Sequence, residues 1–209
     1  MRPTLAIIPS YIDLGSILRQ LTHAPEPPLK LIKQPTSPHE LPPSITPIWK
    51  MFFDGACSRE GTGAGVFFVS PTQETVSLSY KLEFETTNNV AEYEALVLGL
   101  RVAREIGIQE IVVFEDAELV VQQIRSAYQA KHPRLRNYRN EAWDLIDNFF
   151  SAFNISFIPR EDNSMADSLA VSASLLKVSL PSIVNSDVEI RYRPSVSDNV
   201  NHWKVFKDD

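Results

Sequence analysis

Between Trp49 and Leu82 three strand-length apolar runs follow one another across turn-sized gaps, and this succession most restricts the fold. "WKMFFDGACS" reads as one strand, "GAGVFFVS" as a second, and the alternating "TVSLSYKL" as a third. "REGTG" suits a tight turn between the first two, with Gly61, Gly63 and Gly65 loosening the backbone. The period then changes. In "TTNNVAEYEALVLGLRVAREIG", Ala91, Ala95, Leu98, Val102 and Ile106 recur at helical spacing. Thr87, Asn88 or Asn89 is the candidate cap, and Gly107 the closing residue. "QEIVVFED" is a short, continuously apolar run suited to the centre of a sheet. "AELVVQQIRSAY" and "RLRNYRNEAWDLIDNFF" read as helices, "NISFIPR" as a last strand and "SMADSLAVSASLL" as a last helix. Consecutive strands favour antiparallel pairing, and strands alternating with helices favour parallel pairing. The expected fold class is therefore α/β, a mixed five-stranded sheet with its first three strands antiparallel, flanked by helices.

Proline sets the boundaries. Ten of the 15 prolines fall in the first 47 residues, where each removes a donor and clashes with the preceding turn. Residues 1–47 are read as a proline-rich linker or truncated connector, with a short helix around Leu14–Leu21. Residues 48–176 form the expected domain, and 177–209 a C-terminal extension in which "DVEIRYRPS" offers one more strand. The opening segment is a poor fit to a signal peptide, and no run of 18 apolar residues exists, so no membrane span and an intracellular setting are expected. One cysteine, Cys57, leaves neither an intrachain disulfide nor a cysteine-rich metal site.

Four acidic residues occupy similar places in this pattern. Asp54 ends the apolar run of the first strand, Glu92 lies in the first turns of its helix, Asp116 follows "IVVF", and Asp167 lies in the first turns of the last helix. Strand ends and helix starts converge on one crevice in open α/β sheets. Carboxylates gathered there repel one another unless a cation neutralises them. Oxygen donors without sulfur favour a hard ion, Mg²⁺ or Mn²⁺, and a pair of such ions suits cleavage at a phosphorus centre. Spacing alone leaves chance open, since Glu115 and Glu118 are acidic neighbours of Asp116.

"FFDGACSREGTGAGVFFVSP", "TNNVAEYEALVLGLRVAREIGI", "VVFEDAELVVQQI" and "IPREDNSMADSLA" together resemble the ribonuclease H domain, most closely that of plant Ty3/gypsy-like retroelement polyproteins. The resemblance covers about residues 48–176 and implies the ribonuclease H-like fold. It also implies an endonuclease that hydrolyses the RNA strand of an RNA–DNA hybrid with two Mg²⁺ ions, Mn²⁺ being a possible substitute. On the matched motifs, Asp54, Glu92, Asp116 and Asp167 are the catalytic, metal-binding carboxylates. Asp54 would bridge both ions, Glu92 and Asp116 would hold the one nearer the leaving group, and Asp167 would help place the other. An upstream reverse transcriptase domain is the implied partner. "FEDAE" departs from the relatives' more usual "GDS": Glu115 adds charge beside the site, where it could weaken substrate binding or change metal preference.

Further substrate-binding candidates each carry a plainer reading. Gly55 would admit the hybrid backbone, and Asn88 and Asn89 would face its minor groove or merely cap a helix. Arg134 and Arg136, with Lys131 and Arg139, would meet phosphates or form a solvated helix face. Arg160 and Asn163 have structural and substrate-positioning readings alike. Residues 48–176 carry 11 basic and 18 acidic residues, so binding a polyanion would need a divalent cation. A second hypothesis of another class is a catalytically weak module of the same fold that docks on a polymerase or host protein. A transposase- or resolvase-like nuclease is a third.

Overall fold

The computed structural model describes residues 48–177 and 188–197. The linker 1–47, with its expected helix, lies outside the described residues. The elements run β1 (Trp49–Cys57), β2 (Thr62–Val69), β3 (Thr75–Leu82), α1 (Asn88–Glu105), β4 (Glu110–Glu115), α2 (Glu118–Ile124), α3 (Pro133–Phe149), β5 (Ala152–Phe157), a 3₁₀ turn (Arg160–Asn163), α4 (Ser164–Leu175) and β6 (Val188–Arg191). The sheet order is β5-β4-β1-β2-β3-β6. β1, β2 and β3 pair antiparallel, whereas β4 and β5 add in parallel beside β1. This is the expected mixed α/β architecture, with six strands in place of five. The sixth is supplied by the C-terminal segment, whose β6 pairs in parallel with the outer edge of β3.

Two faces of the sheet are covered by different chemistry. α1 is buried along almost its whole length between β1, β2 and α3, which explains why its apolar positions exceed a single stripe. Met51, Phe53, Val66 and Phe68 are fully buried in the main core with Leu96 and Leu100 of α1. On the opposite face α4 lies against β2 through small residues, Ala166, Ala170 and Ala173, all fully buried. Gly63 and Gly65 belong to this contact rather than to the turn expected for them. A Cβ on Gly65 would stand 2.3 Å from the Ala166 carbonyl oxygen. The tighter turn is left to Gly61, whose φ is +152°.

Capping follows local chemistry. Thr87 caps α1, its hydroxyl accepting from the Val90 amide at 3.4 Å. α3 begins at Pro133, where a missing N–H costs nothing, so His132 and Pro133 mark a helix entrance. The segment after β6 is held by Glu94, a buried carboxylate on α1 that accepts the Ser195 amide at 2.6 Å and the Tyr138 hydroxyl. Tyr138 is fully buried. Among the described residues no helix is long and apolar enough to cross a membrane.

Candidate active site

The parallel strands β1 and β4 lie side by side, so their carboxyl ends deliver Asp54 and Asp116 to one edge of the sheet. α1 and α4 start at the same edge from opposite faces. A cleft of about 550 Å³ opens there, lined by Asp54, Glu92, Asp116 and Asp167 together with Asn88 and Arg160. The four carboxylates expected from the sequence therefore share one cavity.

The floor is dry. Asp54 is 6% exposed, Glu92 3% and Glu115 0%. The Gly55 amide donates to Glu92 Oε2 at 2.7 Å, and Asn88 Nδ2 donates to Glu92 Oε1 at 3.3 Å, so both oxygens of Glu92 are held. Burial, reinforced by Asp116 and Asp167, pushes the Asp54 carboxyl up to about 7. Burial and the neighbouring Asp54 likewise raise Glu92 well above the usual carboxylate range. Burial, with Glu92 next in weight, does the same for Glu115.

Glu115 is the residue whose place the sequence reading left short. It was noticed as a charged neighbour, not as part of the site. Its carboxylate, with those of Asp54 and Asp116, offers oxygens all within 4.8 Å of one another. The signal was present in "EIVVFE": Ile111, Val113 and Glu115 alternate inward, so the last of them points with the core and not to water. Its Oε1 accepts the Ala117 amide at 3.0 Å.

The rim differs. Asp167 projects from the first turn of α4 and pairs with Arg160 at 2.5 Å, with the Arg160 side chain 77% exposed. Asn163, between them and β1, does not cap α4 through its side chain. Its Nδ2 donates instead to the Phe53 carbonyl at 2.9 Å, and the residue is 1% exposed. That burial keeps it from substrate. It is a positioning residue for the strand that carries Asp54. Gly55 lines the cleft, and a Cβ there would meet the Glu92 amide nitrogen at 2.2 Å, so the glycine also admits helix α1. Asn89 is half-buried and does not line the cleft. Arg134 donates to the Glu85 carbonyl at 3.0 Å, tying α3 to the loop before α1. Arg136 donates to the Ala130 and Lys131 carbonyls at its own helix start.

Residues 52–173 match the family described as reverse transcriptase-like. The chain belongs to that family. It is a ribonuclease H-like domain related to reverse-transcriptase-associated ribonuclease H. It is 32% identical over 170 residues to the ribonuclease HI of Halobacterium salinarum, spanning 78% of this chain and 82% of that protein. The crystal structure of the Halobacterium salinarum RNase H1 superposes with a TM-score of 0.57 at 32% identity, over 60% of this chain and 96% of that one. The N-terminal RNase H domain of Rv2228c from Mycobacterium tuberculosis, solved as a fusion with maltose binding protein, gives 0.57 at 31% identity over 61% and 94%. LC11-RNase H1 in complex with an RNA/DNA hybrid gives 0.56 at 30% identity over 60% and 96%. The family member has an acidic cluster of the kind a metal-dependent nuclease requires.

Proposed function

We propose that this chain is an endonuclease that hydrolyses the RNA strand of RNA–DNA hybrids, leaving a 3′-hydroxyl and a 5′-phosphate. The observation that carries the reading is the meeting of Asp54, Glu92, Asp116 and Asp167 on one cleft. The similarity to ribonuclease HI and to an RNase H1 bound to hybrid supports the substrate class. The residues fit a hard divalent cation: every donor in the cluster is a carboxylate oxygen, and Glu115 Oε2 is buried beside the Glu92 carboxyl with no amide, hydroxyl or cationic donor among the described residues. Asp54, Glu92, Asp116 and Asp167 would hold two Mg²⁺ ions, or Mn²⁺ in their place. Bound cations supply the positive charge that lets water attack, and the sugar oxygen leave, at the scissile phosphorus.

The chain's own groups provide placement. Asn163 and the pairing of β1 with β2 and β4 hold the Asp54 backbone rigid. The Gly55 amide and Asn88 orient Glu92. Asn88 is exposed on the cleft wall, where it can read a 2′-hydroxyl in the minor groove. Arg160 stands at the rim, free of burial, to receive a backbone phosphate. Arg134, on α3 and bonded to the loop that leads to Asn88, is proposed to steer the second strand. The motif set further supports the plant Ty3/gypsy-like retroelement type, with an upstream reverse transcriptase domain as partner. The relatives named above are archaeal, mycobacterial and compost-derived proteins. The test is end-group analysis after incubating hybrid with protein and Mg²⁺. The expected products are RNA fragments with 3′-hydroxyl and 5′-phosphate ends. Intact RNA, or cyclic-phosphate ends, would reject the reading.

A further inference from the structure

Glu115 is fully buried at the end of β4, behind the cleft and not on its wall. One of its oxygens is held by the Ala117 amide, and the other, Oε2, meets no amide, hydroxyl or cationic donor among the described residues, its one polar neighbour being the Glu92 carboxyl. A buried acceptor left in this state is costly, and a buried charge more so. No lysine or arginine pairs with Glu115 among the described residues. Yet its carboxylate lies within 4.8 Å of those of Asp54 and Asp116, the arrangement in which one cation touches all three.

We propose that Glu115 is a fifth carboxylate ligand, at the Asp54–Asp116 end of the site, and that it tilts the site toward Mn²⁺ over Mg²⁺. The inference rests on the metal reading above and adds the choice of ion. Mg²⁺ dehydrates reluctantly and is usually held by one or two carboxylates with several waters retained. Three carboxylates converging, two of them from the dry floor, leave little room for those waters. An ion that exchanges water for carboxylate more readily gains most from such a site, and among oxygen-donor metals Mn²⁺ fits that description. The structure supplies the rigidity this needs. Glu115 is fixed by the Ala117 amide and by β4, which is paired on both sides by β1 and β5. A ligand on a fixed strand cannot withdraw to suit a smaller, more hydrated ion.

The experiment is calorimetric titration of the full chain with MnCl₂ and with MgCl₂, in the absence of nucleic acid. Wild type is compared with Glu115→Gln and with Glu115→Gly, the second removing the side chain altogether. Wild type should bind Mn²⁺ at least about tenfold more tightly than Mg²⁺, and each variant should lose about 10-fold or more in Mn²⁺ affinity, the scale seen when a metal site loses a supporting group. The ratio between the two ions should narrow in both variants. Metal-free, Glu115→Gln should melt at or above the wild-type temperature, since an acid crowding Asp54 and Glu92 has been removed, whereas Glu115→Gly also leaves a cavity and frees the Ala117 amide and should melt lower. Unchanged Mn²⁺ affinity in the folded variants, with wild type binding normally, would overturn this proposal alone. A wild type that binds neither ion would overturn it together with the metal reading.

Discussion

The floor and the rim of the cleft are both acidic, but only one of them carries its own cation. On the floor, Asp54, Glu92 and Glu115 are buried side by side and held by backbone amides and one asparagine. At the rim, Asp167 is 27% exposed at its side chain and already paired with Arg160. The floor is set for a charge that comes from outside the chain. The rim is stable without one. The difference teaches where the fold stores electrostatic cost and where it does not, and each prediction below probes that contrast.

The largest effect belongs to the floor's centre. Asp54→Asn should leave the fold intact and lower hybrid cleavage by about 10³-fold or more, as for other residues that act as one unit with the reacting atoms. Its metal-free melting temperature should rise. A variant with wild-type turnover would break the assignment of Asp54. Gly55→Ala tests how closely the floor is built. A methyl group 2.2 Å from the Glu92 amide nitrogen forces α1 away from β1. The expected loss is about 3 kcal/mol or more in denaturant unfolding. A loss below about 1 kcal/mol would mean that α1 shifts freely.

The pH dependence follows from sign. Asp54 has its folded-state pKa raised to about 7 from 3.8, chiefly by burial. Between those values the native state binds more protons than the unfolded chain, so stability falls as pH rises. Glu92, raised by burial and Asp54, extends the decline upward. Metal-free protein should therefore unfold at a higher temperature at pH 5 than at pH 8, and added divalent cation should flatten or reverse the trend. A metal-free melting temperature that climbs over this window would contradict the picture of an uncompensated floor.

Smaller effects come from the supports. Asn163→Ala removes the donor to the Phe53 carbonyl and should cost about 1–3 kcal/mol, with a fall in turnover that added substrate does not restore. Arg160→Gln breaks an exposed pair and should change stability by less than about 1 kcal/mol. Its effect should appear as a higher KM for hybrid. If it lowered stability as much as Asn163→Ala, the rim would be no different in kind from the floor.

Much of this was legible in the sequence, and what was not has physical reasons. Asp54, Glu92, Asp116 and Asp167 stood out because each ends an apolar run or opens a helix, which is local information. The mixed sheet was readable from the change of period between Leu82 and Ala91. The packing roles of Gly55 and Asn163 were not legible because their contacts are distant in the chain, Gly55 against α1 and Asn163 against Phe53, 110 residues away. Neither partner leaves a periodic trace. Gly63 and Gly65 looked like turn residues because a glycine that makes room for a helix has the same letter as one that bends. The sixth strand was offered as a possibility but not counted, since a four-residue edge strand carries too little alternation to separate it from linker. Glu115 was legible as charge beside the site, but its burial within the site was not, because a charged residue at a strand end ordinarily faces water.

The most direct measurement uses a uniformly labelled RNA–DNA hybrid, incubated with wild type and with Asp54→Asn in Mg²⁺, in Mn²⁺ and in chelator, beside single-stranded and duplex RNA. Loss of RNA from the hybrid alone, only with metal and only with wild type, is the result the floor of carboxylates predicts. Cleavage that persists in chelator, or in Asp54→Asn, or that consumes every RNA alike, would contradict it.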